Sequence, residues 1–259
     1  MLDADTQLQR INELKNKTSH QVLLSLKDGG EKHLEGIYER WLKARNWNVD
    51  HAARDLTNHS AWRKTYVPKG HITDDEVRGD LNQQKTFLTG YDFQGHPIML
   101  VIIRKHIPSE SQSKRYIVYT MDTAFELGTR IPNWDGKLAG IFDLRGLTMA
   151  NFDLETIKAV FDLLQNHYPE RLDRLYIYGA PFIFHGMWRL IQPFVDPITR
   201  AKIRFVGVKE LQVMTKDFPP KALPPEYGGS GMWIPVEGLR KQLEDGSFTV
   251  DSAVRSNNR

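Results

Sequence analysis

An α/β fold, with an N-terminal helical cap followed by a mixed, largely parallel sheet and helices, is what this 259-residue sequence predicts. Three observations carry that reading. Helical periodicity fills the first quarter of the chain. From residue 96 onward, short β-branched and apolar runs alternate with helical segments. The return from each run to the next is long, as a parallel crossover requires and a hairpin does not. The length suits one sizeable core with an appendage.

In chain order, residues 6–28 show helical spacing up to Gly29 and Gly30, which stop a helix. Residues 31–45 place Leu34, Ile37, Tyr38, Trp41 and Leu42 at helical intervals, and a third helix is expected over 49–63. "VPKGHITDD", with its Pro and Gly, reads as a linker. "DFQGHP" reads as a hairpin turn before the run "PIMLVII", so one antiparallel pair is expected in the sheet. A helix over 113–127, "LAGIFDL", a helix over 153–167, "RLYIYGA", a helix around "FHGMWRLIQPFV" and the run "KIRFVGV" follow. The expected division is a helical region at 1–75, a core domain at 76–245 and a polar, mobile tail at 246–259.

Composition narrows the function. With 26% charged and 40% hydrophobic residues, and no apolar run near the ~20 residues of a membrane span, the chain reads as a globular protein outside the bilayer. The start "MLDADTQLQR" lacks the basic-then-apolar order of a secretion signal. There is no cysteine, which removes disulfides, thiolate metal sites and cysteine nucleophiles and suits a reducing compartment. The expected location is cytoplasmic, with peripheral membrane association. A net charge of +3 and a pI near 8.9, without a Lys/Arg stripe, argue against nucleic acid and fit transient contact with an anionic membrane surface.

No nucleophile elbow, phosphate loop, HExxH or GxGxxG after a strand occurs. "GGSGMW" at 228–233 follows "LPPEY" and reads as a loop. His51 and His59 share a helical face without carboxylates at ligand spacing, so both read as solvated surface residues. Asp74 and Asp75, and Asp153 and Glu155, sit where helices begin and read as caps or dipole partners. The expectation is no enzyme, no metal and no catalytic cofactor.

One segment resists a bland account. Phe184, Met187, Trp188, Ile191 and Val195 fall on one helical face, and Phe182, Ile183, Leu190 and Phe194 widen it. Periodicity alone fits a core helix or a movable lid over an apolar cavity. Pro181, Pro193 and Pro197 limit it to about three turns. Glu170 and Lys202 stand at the starts of the flanking strands, where a plain ion pair is the simplest reading.

"RWLKARNWNVDHAARDL" with "WRK", then "DLRG", "YPERL", "APFIF", "PFVDPITRAKI" and "LPPEYGG", resemble in order the landmarks of the CRAL-TRIO lipid-binding family over residues 30–230, most closely its fungal phosphatidylinositol/phosphatidylcholine transfer branch. The resemblance implies an apolar lipid pocket behind a gate helix, formed here by Phe182, Phe184, Met187, Trp188, Ile191 and Val195. By motif it assigns Arg45, Glu170, Thr199 and Lys202 to a phosphatidylinositol headgroup. Their chemistry suits that task, because a carboxylate accepts from ring hydroxyls while Lys, Arg and Thr donate to phosphate oxygens. The positions that hold choline in the fungal branch fall on Leu138 and Gly140, which offer no side-chain hydrogen bond. This counts against phosphatidylcholine and opens the second ligand to a sterol, tocopherol or another isoprenoid. Tyr116, Tyr119 and Met121 would line a pocket or fill a core equally well.

The implied function is lipid transfer between membranes by a monomer that binds phosphatidylinositol as cargo and presents it to a lipid kinase. Two alternatives remain: a carrier of one small hydrophobic molecule (sterol-, tocopherol- or retinoid-like), whose branches do not need the four-residue set, and a protein-interaction scaffold with incidental lipid.

Overall fold

The computed structural model describes residues 2–34, 36–111 and 113–249. Residues 250–259 of the expected tail lie outside the described residues. The chain divides into two units, one holding residues up to Ile72 together with Leu163–Arg171, the other holding Thr73–Asp162 and the chain from Leu172 on. The later stretch 163–171 thus returns to the amino-terminal unit, which no single boundary near residue 75 anticipates. Among the described residues, no helix is long and apolar enough to cross a membrane.

The first unit contains α1 (Ala4–Lys17), α2 (His20–Asp28), α3 (Ile37–Ala44) and α4 (Val49–Tyr66). The single helix expected over 6–28 is two. Thr18 and Ser19 leave helical geometry with ψ of 120° and 147°, as residues that prefer caps to helix interiors do. The helix expected from 31 starts only at Ile37, because Glu31 and Lys32 are used elsewhere, as described below. Leu14, Leu26, Trp41, Leu42 and Leu56 form its core. Gly30 (φ 71°) closes α2 where a Cβ would lie 1.7 Å from the Gly70 carbonyl oxygen, so the turn admits no side chain.

A buried ionic cluster holds this unit. Glu31 meets His59 Nε2 at 3.3 Å, Arg171 Nη2 at 3.1 Å and Arg63 Nε at 3.6 Å. Arg63 also donates to the carbonyls of Gly29 and Gly30, and Arg171 to that of Lys32. Burial opposes ionisation of Glu31, but His59, Arg63 and Arg171 hold its carboxyl well below the usual range. His59, expected at the surface, is 1% exposed and lies 3.2 Å from His167 Nδ1. The helical pattern could not show this, because His167 arrives from 108 residues away. Burial, followed by the charges of His59 and Arg63, pushes His167 down to about 3.

The second unit has a five-stranded sheet of β1 (Thr86–Tyr91), β2 (Pro97–Ile102), β3 (Leu138–Asp143), β4 (Leu172–Tyr178) and β5 (Ile203–Val206), in that spatial order. β1 and β2 are antiparallel and the remaining pairs parallel, so the predicted mixed, largely parallel sheet is present. Between and around the strands lie α5 (Arg78–Asn82), α6 (Ser113–Thr129), α7 (Leu154–His167, whose end from Leu163 on belongs to the first unit), α8 (Phe184–Ile191), α9 (Pro197–Ala201), α10 (Leu211–Thr215) and α11 (Val236–Glu244). One sheet face carries Leu100, Ile141, Tyr176 and Tyr178, packed against Phe218, Leu223 and Tyr227. The other carries Leu175 and Ile177, packed against α7 and α8.

The Asp143 carboxylate, fully buried at the end of β3, ties the first of these layers together. It accepts from Arg145 Nε at 3.0 Å and Nη2 at 2.8 Å, from the Tyr227 hydroxyl at 2.8 Å, and from Arg104 Nη1 at 3.2 Å. Arg145 in turn lies over the rings of Tyr178 and Tyr227. Burial raises the Asp143 carboxyl, and Arg145 with Tyr227 more than reverses this.

Glu31→Gln keeps the shape of the first cluster but leaves Arg63 and Arg171 buried without their counter-charge. It is expected to cost about 3–5 kcal/mol in urea unfolding. A loss below about 1 kcal/mol would show that the cluster does not hold the unit.

Candidate functional site

Around "APFIFHGMWRLIQPFVDP" the structure forms α8, one 3₁₀ turn over Gln192–Phe194, and α9. The helix is shorter than the expected span, because Pro193 interrupts it. Phe184, Met187 and Ile191 are buried, and so is Val195 beyond the turn; they join Leu144, Leu147, Leu175 and Ile177. Trp188 is half-buried and meets Phe205 edge-on at 5.4 Å. Phe182, expected with the inward set, points out instead and is 90% exposed. It precedes the helix, in the turn that follows Pro181, so helical phase does not govern it.

Ile183, Leu190, Phe194 and Ile198 are exposed alongside it, so this segment is apolar outward as well as inward. Beneath the inner face, Phe142, Ile157, Phe161, Leu172 and Ile203 pack against the cluster yet stay only partly buried. A layer that keeps apolar side chains half-covered under an apolar helix is suited to receive an apolar guest.

The four residues assigned to the headgroup divide between the two units. Arg45 closes α3, donates from Nε to Asp55 at 2.6 Å and lies over the Trp41 ring. Glu170 has φ of 56°, a strained setting for a non-glycine, immediately before the Arg171 anchor. In the other unit, the Thr199 amide is capped by Asp196 at 2.9 Å, and Lys202 ends α9 just before β5. Lys202 lines a polar pocket of about 310 Å³ together with Gln94, Asp173, Arg174, Arg204 and Asp217.

Leu138 is buried, and a Cβ on Gly140 would lie 2.8 Å from Leu175 Cδ1, so apolar packing fills the space at both positions. Tyr116, Tyr119 and Met121 are buried in α6. The Tyr119 hydroxyl donates to Asp74 at 2.9 Å, and Lys85 Nζ lies 5.0 Å from the centre of the Tyr116 ring. Of the suspected caps, Asp153 caps α7 by accepting from the Thr156 amide, whereas Asp74 serves Tyr119.

A cluster that sequence reasoning missed lies beside the pocket. Asp92 holds the hairpin turn through the amides of Gln94 and His96. His96 Nδ1 meets Asp92 at 3.0 Å and Asp173 at 3.7 Å, while Nε2 meets Asp135 at 3.2 Å. Asp92, His96 and Asp173 are close enough to hold a metal ion. An imidazolium already supplies the positive charge: burial opposes it, but Asp135 and Asp92 raise His96 from 6.5 to about 9. The only sequence signal was the i,i+4 Asp and His across "DFQGH".

The CRAL/TRIO domain signature matches residues 81–229. The chain belongs to the CRAL-TRIO family. It is 28% identical over 211 residues to the CRAL-TRIO domain-containing protein C3H8.02 of Schizosaccharomyces pombe, covering 77% of this chain and 46% of that protein. It is 29% identical over 209 residues to the phosphatidylinositol transfer protein CSR1 of Eremothecium gossypii, covering 75% of this chain and 47% of that one. The chain spans about half the length of these two relatives. The crystal structure of Sfh5 shares the fold seen here, with a TM-score of 0.65 over 95% of this chain and 99% of that one, at 18% identity.

His96 predicts a pH dependence. Its folded-state pKa of about 9 lies above the ordinary 6.5, so its stabilising contribution is complete below about pH 6.5 and is lost as pH rises through about 9. Melting temperature should fall between pH 7 and pH 10, and His96→Asn should flatten that fall. Equal slopes in the two proteins would remove the imidazolium from the hairpin.

Proposed function

We propose that this CRAL-TRIO protein carries phosphatidylinositol between membranes as a monomer, docking transiently on their surface, with delivery to a lipid kinase as the use that follows from that cargo. The observation that carries the reading is the segment around α8: the helix buries Phe184, Met187 and Ile191, while Phe182, Ile183, Leu190 and Phe194 in and beside it are exposed. Each methylene is worth ~0.8 kcal/mol of transfer free energy, so some thirty acyl methylenes would cost on the order of 25 kcal/mol in water. A carrier must therefore close an apolar interior over them and open it only against a bilayer. A short helix with an apolar seat meets that need, and Leu190 on it together with Phe182 and Ile183 in the turn before it supply the membrane-facing side.

The cargo is supported by the complete set Arg45, Glu170, Thr199 and Lys202, and by the name of the Eremothecium relative. Arg45 and Lys202 against Glu170 leave one surplus positive charge, which a phosphodiester neutralises. The apolar packing of Leu138 and Gly140 supports a ligand other than phosphatidylcholine as any second cargo.

Glu170→Ala and Lys202→Ala should each abolish phosphatidylinositol transfer between vesicles while circular dichroism shows a folded protein; normal transfer by both would sink the headgroup assignment. Adding charge to the helix, as Met187→Glu or Trp188→Glu, should block exchange. Leu190→Glu tests the outward side without entering the core. Unchanged exchange by all three would return α8 to a purely structural role.

A further inference from the structure

The sheet has one covered edge and one open edge. On β1, the Leu88 amide donates to the Ile234 carbonyl and Phe87 bridges to Pro235, so the carboxy-terminal segment closes that side. β5 forms the other edge and pairs with β4. The carbonyls of Lys202 and Val206 accept from the amides of Leu175 and Gly179. Backbone groups alternate in direction along a strand, so the N–H and C=O of Ile203 and of Phe205 face away from β4. Among the described residues, no backbone group bonds to them from outside the sheet. Such an edge is a template for pairing with another chain.

The side chains along this edge define what can pair with it. The register sets Ile203 beside Leu175 and Phe205 beside Ile177, on the sheet face covered by α8. Phe205 meets the Trp188 ring at 5.4 Å and is still 52% exposed. Arg204 pairs with Tyr176 on the opposite face, where its Nη1 donates to the Tyr176 hydroxyl at 3.0 Å and to Asp217 at 2.9 Å, and half of its side chain remains exposed. Lys202 lines the same polar side. From Pro197 to Lys209 the chain carries Arg200, Lys202, Arg204 and Lys209 and no acid. The edge is therefore apolar on one face and cationic on the other. A second copy of the chain fits it poorly. The two-fold antiparallel pairing that uses all the outward groups of Ile203 and Phe205 sets one Arg204 directly opposite the other, which is repulsive.

We propose that the open edge of β5 docks an extended segment of a partner protein that alternates acidic and apolar residues, added to the sheet as a sixth strand. Its backbone would bond to Ile203 and Phe205, its apolar residues would pack beside Phe205 and Trp188, and its acids would face Arg204 and Lys202. Main-chain bonds supply affinity in this mode of recognition, and the alternation supplies specificity. The inference goes beyond the lipid-carrier reading and does not depend on it.

Amide hydrogen exchange of the full chain, read by NMR, tests it with a short synthetic peptide alternating glutamate and valine. The controls are its lysine–valine counterpart and two versions N-methylated on alternate amides, one for each edge of the added strand. The glutamate–valine peptide should slow exchange at the amides of Ile203 and Phe205 by about tenfold or more at saturation, and should bind about tenfold tighter than the lysine–valine peptide. One methylated version should lose about tenfold in affinity and the other should keep it, because only one edge faces β5. Arg204→Glu should reverse the preference between glutamate and lysine. Arg204 also holds Asp217, so the methylated peptides, which leave the protein unaltered, decide the matter should that variant fold poorly. Absence of binding, equal binding of all the peptides, or binding that leaves exchange at Ile203 and Phe205 unchanged would each overturn the proposal. Protection of these amides that grows with protein concentration alone would assign the edge to a second copy. Protection by phosphatidylserine vesicles and not by the peptide would assign it to a bilayer. Either result would also overturn the proposal.

Discussion

The Asp143 carboxylate is the constraint around which the sheet unit is built. A fully buried charge is costly unless its oxygens are filled, and here two arginines and a tyrosine fill them. Asp143 and Arg145 belong to "DLRG", and Tyr227 to "LPPEYGG", so one hydrogen-bonded knot joins segments 84 residues apart. It fixes the end of β3 and folds the carboxy-terminal segment over one face of the sheet. That leaves the opposite face to α7 and α8. Breaking such a knot would cost more than its own bonds, because the freed Asp143 carboxylate and Tyr227 hydroxyl would stay buried.

The helical unit uses the same device. Glu31 gathers Arg63 of "WRK" and Arg171 of "YPERL", and the guanidiniums also satisfy carbonyls at the end of α2. Many family landmarks are therefore staples of charge rather than ligand contacts. Glu170 stands beside one of these staples with φ of 56°, so the anchor that fixes Arg171 also fixes the direction of its neighbour. Strain at that point is tolerated because the surrounding ionic cluster over-determines it. The segment around α8 follows the opposite logic. Its contacts beneath are apolar and non-directional, which lets a helix leave its seat without stranding buried polar groups.

Much of this was legible from residues alone. Alternating runs and helices gave the sheet and its one antiparallel pair, because hydrophobic period and connection length are local properties. The inward set Phe184, Met187 and Ile191 followed from helical phase, whereas Val195 is buried beyond the 3₁₀ turn that ends the helix. Phe182 did not, since it sits in the turn before the helix where that phase does not apply. The split between α1 and α2 at Thr18 and Ser19 carried a weak local signal that the surrounding leucines masked.

The sequence by itself determined the order of elements, the family and the residue types available to a phosphorylated headgroup, because all three are written in spacing and motif. Only the tertiary structure decided where charge would be buried. His59 became a buried partner of Glu31, and His96 became an imidazolium among three aspartates. Arg204 and Asp217 became walls of one pocket. Each outcome depends on groups from distant parts of the chain meeting where water is excluded, and that desolvation has no trace in a linear pattern.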